Sequence, residues 1–159
     1  MTHSALHVPN EYLDLLNKAV AREISVSVQY MLQHSKLDGA LKKRITQPNI
    51  LNDETTFDVL GKMFEEIAIQ EMEHAEDIGE RVFILGGEAT TKPEPMPVVG
   101  NSIKEFLELG AAAEEEALAL YKQIVKEADK LGDYTTHELF ITIYKQEEDH
   151  LIKFKEYLG

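Results

Sequence analysis

The sequence predicts an all-α protein, a four-helix bundle with one long crossover between its second and third helices. Four long segments carry apolar residues at three-and-four spacing, which is typical of the packing face of a bundle helix. A segment with three prolines separates the second of them from the third, and no segment has the alternating pattern of a strand. At 159 residues the chain is expected to form one domain, residues 1–159.

The first helix is predicted over residues 10–36, with Asn10 as a suitable N-cap. Its packing stripe consists of Leu13, Leu16, Val20, Glu23, Ser27, Tyr30 and His34. The connection that follows, about 37–55, contains Gly39, Pro48 and a short basic run. It leaves room for a short extra helix.

The second helix is predicted over residues 56–86, where a pair of glycines closes it. Its packing stripe consists of Phe57, Leu60, Phe64, Ile67, Glu71, His74, Ile78 and Leu85. The stretch 87–101 contains three prolines and therefore cannot be helical. It is long enough to run the length of a bundle.

The third helix is predicted over residues 102–131, starting at a capping box formed by Ser102 and Glu105. A short turn at Gly132 leads to the fourth helix, over residues 133–158. The third stripe consists of Leu107, Gly110, Glu114, Tyr121, Val125 and Ala128, and the fourth of Phe140, Ile143, Glu147, His150, Phe154 and Tyr157.

Composition excludes several classes of function. The chain has no cysteine, so it forms no disulfide, thiolate metal site or cysteine nucleophile. A net charge of −13 argues against binding to nucleic acid or to an anionic membrane. The start of the chain does not resemble a signal peptide, and no apolar run is long enough to span a membrane, so a cytoplasmic location is expected. The negative charge either attracts cations or only keeps the surface soluble.

One short pattern occurs twice. Residues 70–74 and 146–150 both read Gln-Glu-x-acid-His. A Glu three residues before a His places both side chains on one face of a helix. Here both pairs lie on the apolar packing stripes, where an unpaired carboxylate would cost several kcal/mol, so strong partners are expected. The four residues concerned are Glu71, His74, Glu147 and His150.

Glu23 and Glu114 extend this set to the other two helices. Each lies on its packing stripe and is followed seven residues later by a tyrosine, so the two halves of the chain resemble each other. Glu115 and Glu116 lie off the stripe and are expected at the surface. Four carboxylates carry −4 and two divalent metal ions +4, so a buried dinuclear centre with neutral histidines would be balanced.

The remaining aromatic and histidine candidates have ordinary alternatives. Tyr30 and Tyr121 are either core aromatics or partners of the metal ligands, through a hydrogen bond or by one-electron oxidation. The other histidines are expected in structural, surface or terminal positions: His3, His7, His34 and His137.

These motifs resemble the ferritin-like superfamily, and bacterioferritins most closely. Residues 71–75 resemble the second helix of bacterioferritins, Glu23 with Gln29-Tyr30 the first, and residues 147–150 after Asp133-Tyr134 the fourth. The resemblance implies a ferritin-like bundle and a di-iron centre in which two Fe(II) ions are oxidised by O₂ or H₂O₂. The iron would be stored as a ferric mineral inside a homo-oligomer. It further implies terminal ligands Glu23 and Glu114, bridging ligands Glu71 and Glu147, and one histidine per iron, His74 and His150.

The resemblance also implies a haem site. Bacterioferritins place a methionine beside the first Glu of this motif, where it ligates a haem shared across a subunit dimer. Met72 lies about 100° around the helix from Glu71 and so faces away from the centre. Ile24, Met31 and Ile69 are candidates to line this site, although Glu65 would fall where an apolar residue is expected. An interface or core methionine is the equal alternative.

Three departures from the family pattern leave other functions open. The sequence ends at Gly159 without the family's short fifth helix, and the first connection is longer, so these departures argue against a 24-subunit cage and leave a smaller Dps-like shell or a dimer open. Rubrerythrins have a further Glu where this chain has Ala117, which weakens a peroxidase interpretation. The alternatives are a ferritin-like di-metal oxidoreductase without storage and a bundle whose acids are merely solvated. The same ligands also suit Mn and Zn.

Overall fold

The computed structural model describes residues 6–38 and 54–159 and confirms the all-α four-helix bundle. The described ranges contain four helices: α1 (Asn10–Leu37), α2 (Glu54–Ile84), α3 (Ile103–Leu131) and α4 (Tyr134–Leu158). The short extra helix expected between the first two helices, and His3, lie outside the described residues. None of the described helices is long and apolar enough to cross a membrane.

The end of α2 differs from the sequence prediction. The helix ends at Ile84 rather than at residue 86. Gly86 adopts a left-handed φ of 87°, and its N–H donates to the carbonyl of Phe83 at 3.0 Å. This hydrogen bond tightens the last turn, so the helix ends two residues before the position predicted from the pair of glycines.

The α3–α4 turn is fixed by residues at both of its ends. Gly132 has φ 69°, and its N–H donates to carbonyls in the last turn of α3. Asp133 caps α4 by accepting a hydrogen bond from the N–H of Thr136 at 3.1 Å. Since the turn is this short, α3 and α4 form an antiparallel hairpin.

Two hydrophobic clusters form the core, one toward each end of the bundle. The first contains Leu16, Ile78, Ile124 and Phe140 among others. The second contains Tyr30, Phe64, Phe106 and Phe154 among others. Going along the chain, α1 and α4 pass from the first cluster to the second, while α2 and α3 pass from the second to the first. Because α2 and α3 run in the same direction, their connection must return along the whole bundle.

This crossover is attached to α1 by polar side chains. Asn17, Ser25 and Gln33 of α1 each donate to a backbone carbonyl of the crossover, at 2.9, 2.5 and 2.8 Å. The three donors are spread over four turns of α1. These hydrogen bonds hold the crossover along the helix, in addition to the packing of Ala89 and Val99 against the two clusters.

A glycine allows the closest packing in the second cluster. A Cβ on Gly110 would come within 2.8 Å of the ring of Phe154. This ring packs at tilted angles against Tyr30, with centroids 5.5 Å apart, and against Phe64, with centroids 5.6 Å apart.

The predicted stripe of the fourth helix was wrong at its last member, because Tyr157 lies past the last buried residue of α4 and is 37 % exposed.

A buried ion pair joins three helices at one end of the bundle. Asp133 accepts hydrogen bonds from Arg81 of α2 at 2.6 Å and from Tyr12 of α1 at 3.0 Å. Burial alone would raise the pKa of Asp133. The hydrogen bonds from Thr136 and Arg81 outweigh burial and hold this pKa below its ordinary value.

We expect Asp133→Asn to lower the free energy of unfolding by about 2 kcal/mol at neutral pH, the scale of a hydrogen bond to a charged group. The pKa of Asp133 is lower in the folded chain than the value of about 3.9 in the unfolded one. Its contribution is therefore complete above the unfolded-state pKa and is lost as the pH falls through the folded-state pKa. Urea unfolding at a series of pH values measures this, with exposed Asp129→Asn as the control. A deficit that persists unchanged in acid would contradict the assignment.

Candidate metal centre

A polar layer lies between the two hydrophobic clusters, where each helix passes from one cluster to the other. Each of the four helices contributes one glutamate, and all four glutamates are 0 % exposed: Glu23, Glu71, Glu114 and Glu147. His74 of α2 and His150 of α4 are also buried. The structure thus brings together all six side chains that the sequence nominated as metal ligands.

The helical spacing explains why these side chains point inward. On α2, Glu71 and His74 lie on the same face as the buried residues Ile67 and Ile78, about one turn away on either side. The same spacing on α4 places its Glu-x-x-His pair between buried Ile143 and Phe154. The apolar side chains fix the rotation of each helix and so carry the polar pair into the core.

The two histidines face two adjoining groups of carboxylates. His74 Nδ1 lies 2.9 Å from Glu71 Oε2, 3.4 Å from Glu147 Oε1 and 3.8 Å from Glu23 Oε2. His150 Nδ1 lies 3.0 Å from Glu147 Oε2, 3.2 Å from Glu71 Oε1 and 3.9 Å from Glu114 Oε1.

Glu71 and Glu147 therefore belong to both groups, whereas Glu23 and Glu114 belong to one each. In each group of four residues, one ligand atom per residue lies within 4.8 Å of all the others. Two shared and two unshared carboxylates are the arrangement expected of bridging and terminal ligands in a dinuclear centre.

Two glutamines orient the histidines, and the sequence analysis missed them. His74 Nε2 lies 2.6 Å from the amide oxygen of Gln146, and His150 Nε2 lies 2.6 Å from that of Gln70. An amide oxygen only accepts, so Nε2 carries the proton and donates it, which turns Nδ1 toward the carboxylates. The signal was available, because Gln is the first residue of both copies of the repeated pattern.

The two tyrosines make matching contacts across the bundle. Tyr30 of α1 donates to Glu114 Oε1 of α3 at 2.6 Å, and Tyr121 of α3 donates to Glu23 Oε1 of α1. Both rings are 0 % exposed. The tyrosines are therefore core aromatics and hydrogen-bond donors to the centre at once.

Arg22 is a further member of the layer that the sequence analysis did not nominate. Its side chain is buried, with Nη1 3.2 Å from Glu23 Oε1 and Nη2 3.0 Å from Glu114 Oε2. The available signal was a charged residue directly after the apolar stretch 19–21 and next to the predicted ligand Glu23. An arginine beside an acid is ordinarily a surface pair, so the pattern alone did not distinguish it.

Burial and mutual repulsion shift the pKa values of the carboxyl groups in the layer. Burial and the neighbouring carboxylates raise the pKa of Glu71 and Glu114 well above the ordinary value. Burial acts the same way on Glu147, but the hydrogen bond from His150 and the nearby His74 and Arg22 outweigh it and lower its pKa. Burial would lower the pKa of His74, yet the surrounding carboxylates raise it. A metal ion that binds here would therefore compete with a proton for the inward nitrogen of His74.

Unsatisfied oxygens indicate that the layer fits metal ions. Glu23 Oε2, Glu71 Oε1 and Glu147 Oε1 are buried and accept no hydrogen bond from any residue that the structure describes. A buried acceptor without a partner costs about 1–3 kcal/mol, which coordination to a cation would recover. The donor set of carboxylate oxygen and imidazole nitrogen suits Fe, Mn and Zn.

Met72 lies outside this layer, on the exposed side of α2. It is 58 % exposed and lines a groove of about 390 Å³ between α1 and α2. The groove is lined by Ser27, Val28, Met31, His34, Glu65, Ala68, Ile69 and Met72. Met31, Ile69 and Glu65 lie where the sequence analysis expected them, but Ile24 lines an adjacent groove instead.

The residues expected elsewhere lie away from the centre. Glu115 and Glu116 are exposed, as predicted. His34 is half-buried and its Nδ1 bonds to the carbonyl of Gly61 at 2.7 Å, while His137 pairs with the neighbouring Glu138 at 3.5 Å. His7 is exposed.

Comparison with known proteins places the chain in a family. The model of the ferritin-like domain family matches residues 50–159. Bacterioferritin of Desulfovibrio desulfuricans is 34% identical over 90% of this chain and 72% of the relative. Bacterioferritin of Brucella melitensis is 30% identical over 87% of this chain and 77% of the relative.

Solved structures agree with the sequence relatives. The Desulfovibrio desulfuricans bacterioferritin, described with its diiron site in different catalytic states, has a TM-score of 0.79 at 32% identity and covers 93% of this chain and 78% of its own. The Rhodobacter capsulatus bacterioferritin, described with a metal-free dinuclear site and a haem iron, has a TM-score of 0.76 at 25% identity and covers 94% and 84%. The chain therefore belongs to the ferritin-like family, and these relatives within it are bacterioferritins.

Proposed function

We propose that this protein binds two Fe(II) ions in the polar layer and oxidises them with O₂ or H₂O₂, for iron storage and detoxification in a homo-oligomer. The observation that carries the proposal is the pair of adjoining four-ligand groups with two shared carboxylates, fully enclosed in the bundle core. Membership of the ferritin-like family supports the choice of iron as the metal.

The distances support a ligand role for each residue of the layer. The shared carboxylates would bridge the two ions, each unshared carboxylate would serve one ion, and each histidine would offer one ion its inward nitrogen. The bridging residues are Glu71 and Glu147, the terminal ones Glu23 and Glu114, and the histidines His74 and His150.

The chemistry needs two electrons to leave together. Two Fe(II) ions give up two electrons, which with two protons reduce O₂ to H₂O₂ or H₂O₂ to two water molecules. The carboxylates favour this direction because hard oxygen ligands stabilise Fe(III) over Fe(II). The glutamines and tyrosines hold the histidine rings and terminal carboxylates in place, and the two hydrophobic clusters keep bulk water out of the layer.

A rubrerythrin-like peroxidase is the less supported alternative. The position at which rubrerythrins have a further carboxylate is Ala117, which is 0 % exposed and packs in the first hydrophobic cluster. A methyl group there offers no ligand. This supports a six-residue centre of the storage type.

We expect divalent metal to stabilise the fold, because coordination relieves the repulsion among buried carboxylates. Saturation at about 100 times the dissociation constant is worth about 2.7 kcal/mol, or roughly 5–10 °C in melting temperature. Chelator-treated protein is melted with and without anaerobic Fe(II), Mn(II) or Zn(II). The double variant Glu71→Ala/His74→Ala should lose the shift. A wild-type melting temperature indifferent to all three metals would argue against the centre.

We expect Glu114→Ala to slow Fe(II) oxidation at least tenfold, because it removes one terminal ligand. Loss of a residue that only hydrogen-bonds a metal ligand already costs about 10–100-fold in metal affinity or activity. Glu115→Ala is the matched control, because the adjacent glutamate is exposed and its ion pair among the described residues is with exposed Lys155. The growth of ferric absorbance after Fe(II) is mixed with aerobic protein measures the rate. Equal rates for the two variants would sink the assignment of Glu114.

We also propose that the groove beside Met72 binds haem between two copies of the chain. The groove is largely apolar and open to solvent, and it presents the thioether of Met72, a ligand that haem iron accepts. A groove on one chain covers one face of a flat macrocycle and leaves the other face to a partner. Glu65 and His34 make this lining more polar than a wholly apolar haem pocket.

We expect protein produced with a haem supply to show a Soret band at roughly one haem per two chains, and light scattering to show a dimer or a larger assembly. Met72→Leu should lose the band, because leucine keeps the apolar contact but removes the axial ligand. Met96→Leu on the crossover, where Met96 is 73 % exposed, is the control. Retention of haem in Met72→Leu would disprove this role.

A further inference from the structure

We infer that Arg22 is a positioning residue, an internal counter-ion that holds one oxygen of each terminal carboxylate and leaves the other oxygen to a metal ion. The inference rests on the dinuclear centre proposed above and concerns how tightly, and through how many oxygens, that centre holds its ions. The guanidinium is buried beside three of the four carboxylates: it contacts the two terminal ones, and its Nη1 lies 3.5 Å from Glu147 Oε1.

The guanidinium connects the two halves of the bundle. From α1, Nη1 contacts Glu23 Oε1 at 3.2 Å, and Nη2 reaches across to Glu114 Oε2 of α3 at 3.0 Å. Nη2 also donates to the carbonyl of Ala113 at 3.0 Å, and Nη1 to the hydroxyl of Tyr121 at 3.3 Å. A planar fork can satisfy two carboxylates at fixed separation, which a lysine ammonium cannot do in the same way.

The oxygens that Arg22 does not contact are those nearest the histidines, and one of them, Glu114 Oε1, also accepts the hydrogen bond from Tyr30. Glu23 Oε2 lies 3.8 Å from His74 Nδ1, and Glu114 Oε1 lies 3.9 Å from His150 Nδ1. Each terminal carboxylate is thus divided, with its outer oxygen on the arginine and its inner oxygen facing a metal position. While the arginine keeps the outer oxygen, the carboxylate binds a metal ion through one oxygen only.

Arg22 also changes the charge of the layer. Four carboxylates and one guanidinium give −4 + 1 = −3, so two divalent ions at +4 leave an excess of one positive charge. A fixed cation at this range repels an incoming cation and stabilises the carboxylates that await it. The expected result is a layer that is more stable without metal and less avid for it.

The internal symmetry of the chain isolates this role. Glu23 corresponds to Glu114 and Tyr30 to Tyr121, so the counterpart of Arg22 is Ala113. The two halves supply matching ligands, matching tyrosines and matching glutamines, and they differ at this position. Arg22 therefore adds something that the repeated ligand pattern does not itself require.

A matched control lies one turn earlier on the same helix. Arg22 and Lys18 both line a groove of about 470 Å³ between α1, α3 and the crossover, but Lys18 is exposed. Lys18→Leu removes the same unit of positive charge as Arg22→Leu without removing a contact to the carboxylates. Any effect of net charge alone appears in both variants.

The experiment titrates chelator-treated protein with Co(II), followed by calorimetry and by the visible d–d absorption of the bound ion. We expect Arg22→Leu to bind Co(II) about tenfold more tightly, through removal of the nearby like charge. Its d–d absorption per ion should weaken, since terminal carboxylates free to bind through both oxygens raise the coordination number. Its melting temperature should be lower without metal and should rise more on loading than that of wild type. Lys18→Leu should match wild type in all three.

Arg22→Lys keeps the positive charge but removes the planar guanidinium, so it tests the two properties separately. It also replaces Arg22→Leu as the test if that variant does not fold. It keeps the charge, so affinity should stay near that of wild type, while the weaker d–d absorption should match Arg22→Leu. Equal affinity and spectra in Arg22→Leu and Lys18→Leu, looser binding in Arg22→Leu, or an unchanged spectrum in Arg22→Lys would overturn the inference alone. Wild-type protein that takes up no Co(II) would overturn the proposed centre together with it.

Discussion

Four carboxylates are buried in a single layer of this bundle, and the other residues of the layer offset their negative charge. Each glutamate is 0 % exposed, and like charges at such range are strongly unfavourable in a poorly polarisable core. Within the described residues the repulsion is met by one buried arginine, two tyrosine hydroxyls and two histidines. Three carboxylate oxygens accept no hydrogen bond from the part of the chain that the structure describes, so the layer keeps a local electrostatic cost that a pair of cations would offset.

The position of the layer makes this cost tolerable. Hydrophobic clusters lie on both sides of it, and every helix contributes to both, so the fold does not depend on the layer for its cohesion. The same clusters fix the rotation of each helix and thereby the direction of each ligand. Apolar packing supplies stability and geometry together, while the polar layer supplies the chemistry, because functional side chains need a rigid packed scaffold to hold their positions.

The sequence predicted the helices and the six nominated residues because all of that information lies along single helix faces. A Glu or His on an apolar stripe at three-and-four spacing can be predicted to point inward without knowing the partner helix. Contacts between helices cannot be predicted in this way. Gln70 and Gln146 bond the histidine of the opposite helix, and Arg22 reaches from α1 to α3, so their roles depend on how the helices are rotated and paired. Ile24 was assigned to the wrong groove for the same reason.

The crossed contacts bear on how such a chain could arise. Gln70 serves the histidine of the second half and Gln146 that of the first, and the two tyrosines are exchanged in the same manner. Two identical two-helix hairpins, associated about a rotation axis, would make each of these contacts without any covalent link. In such a symmetric ancestor, an arginine at position 22 would face its own copy rather than Ala113. In this single chain the two halves differ at these positions, so the first half carries a cation where the second has Ala113.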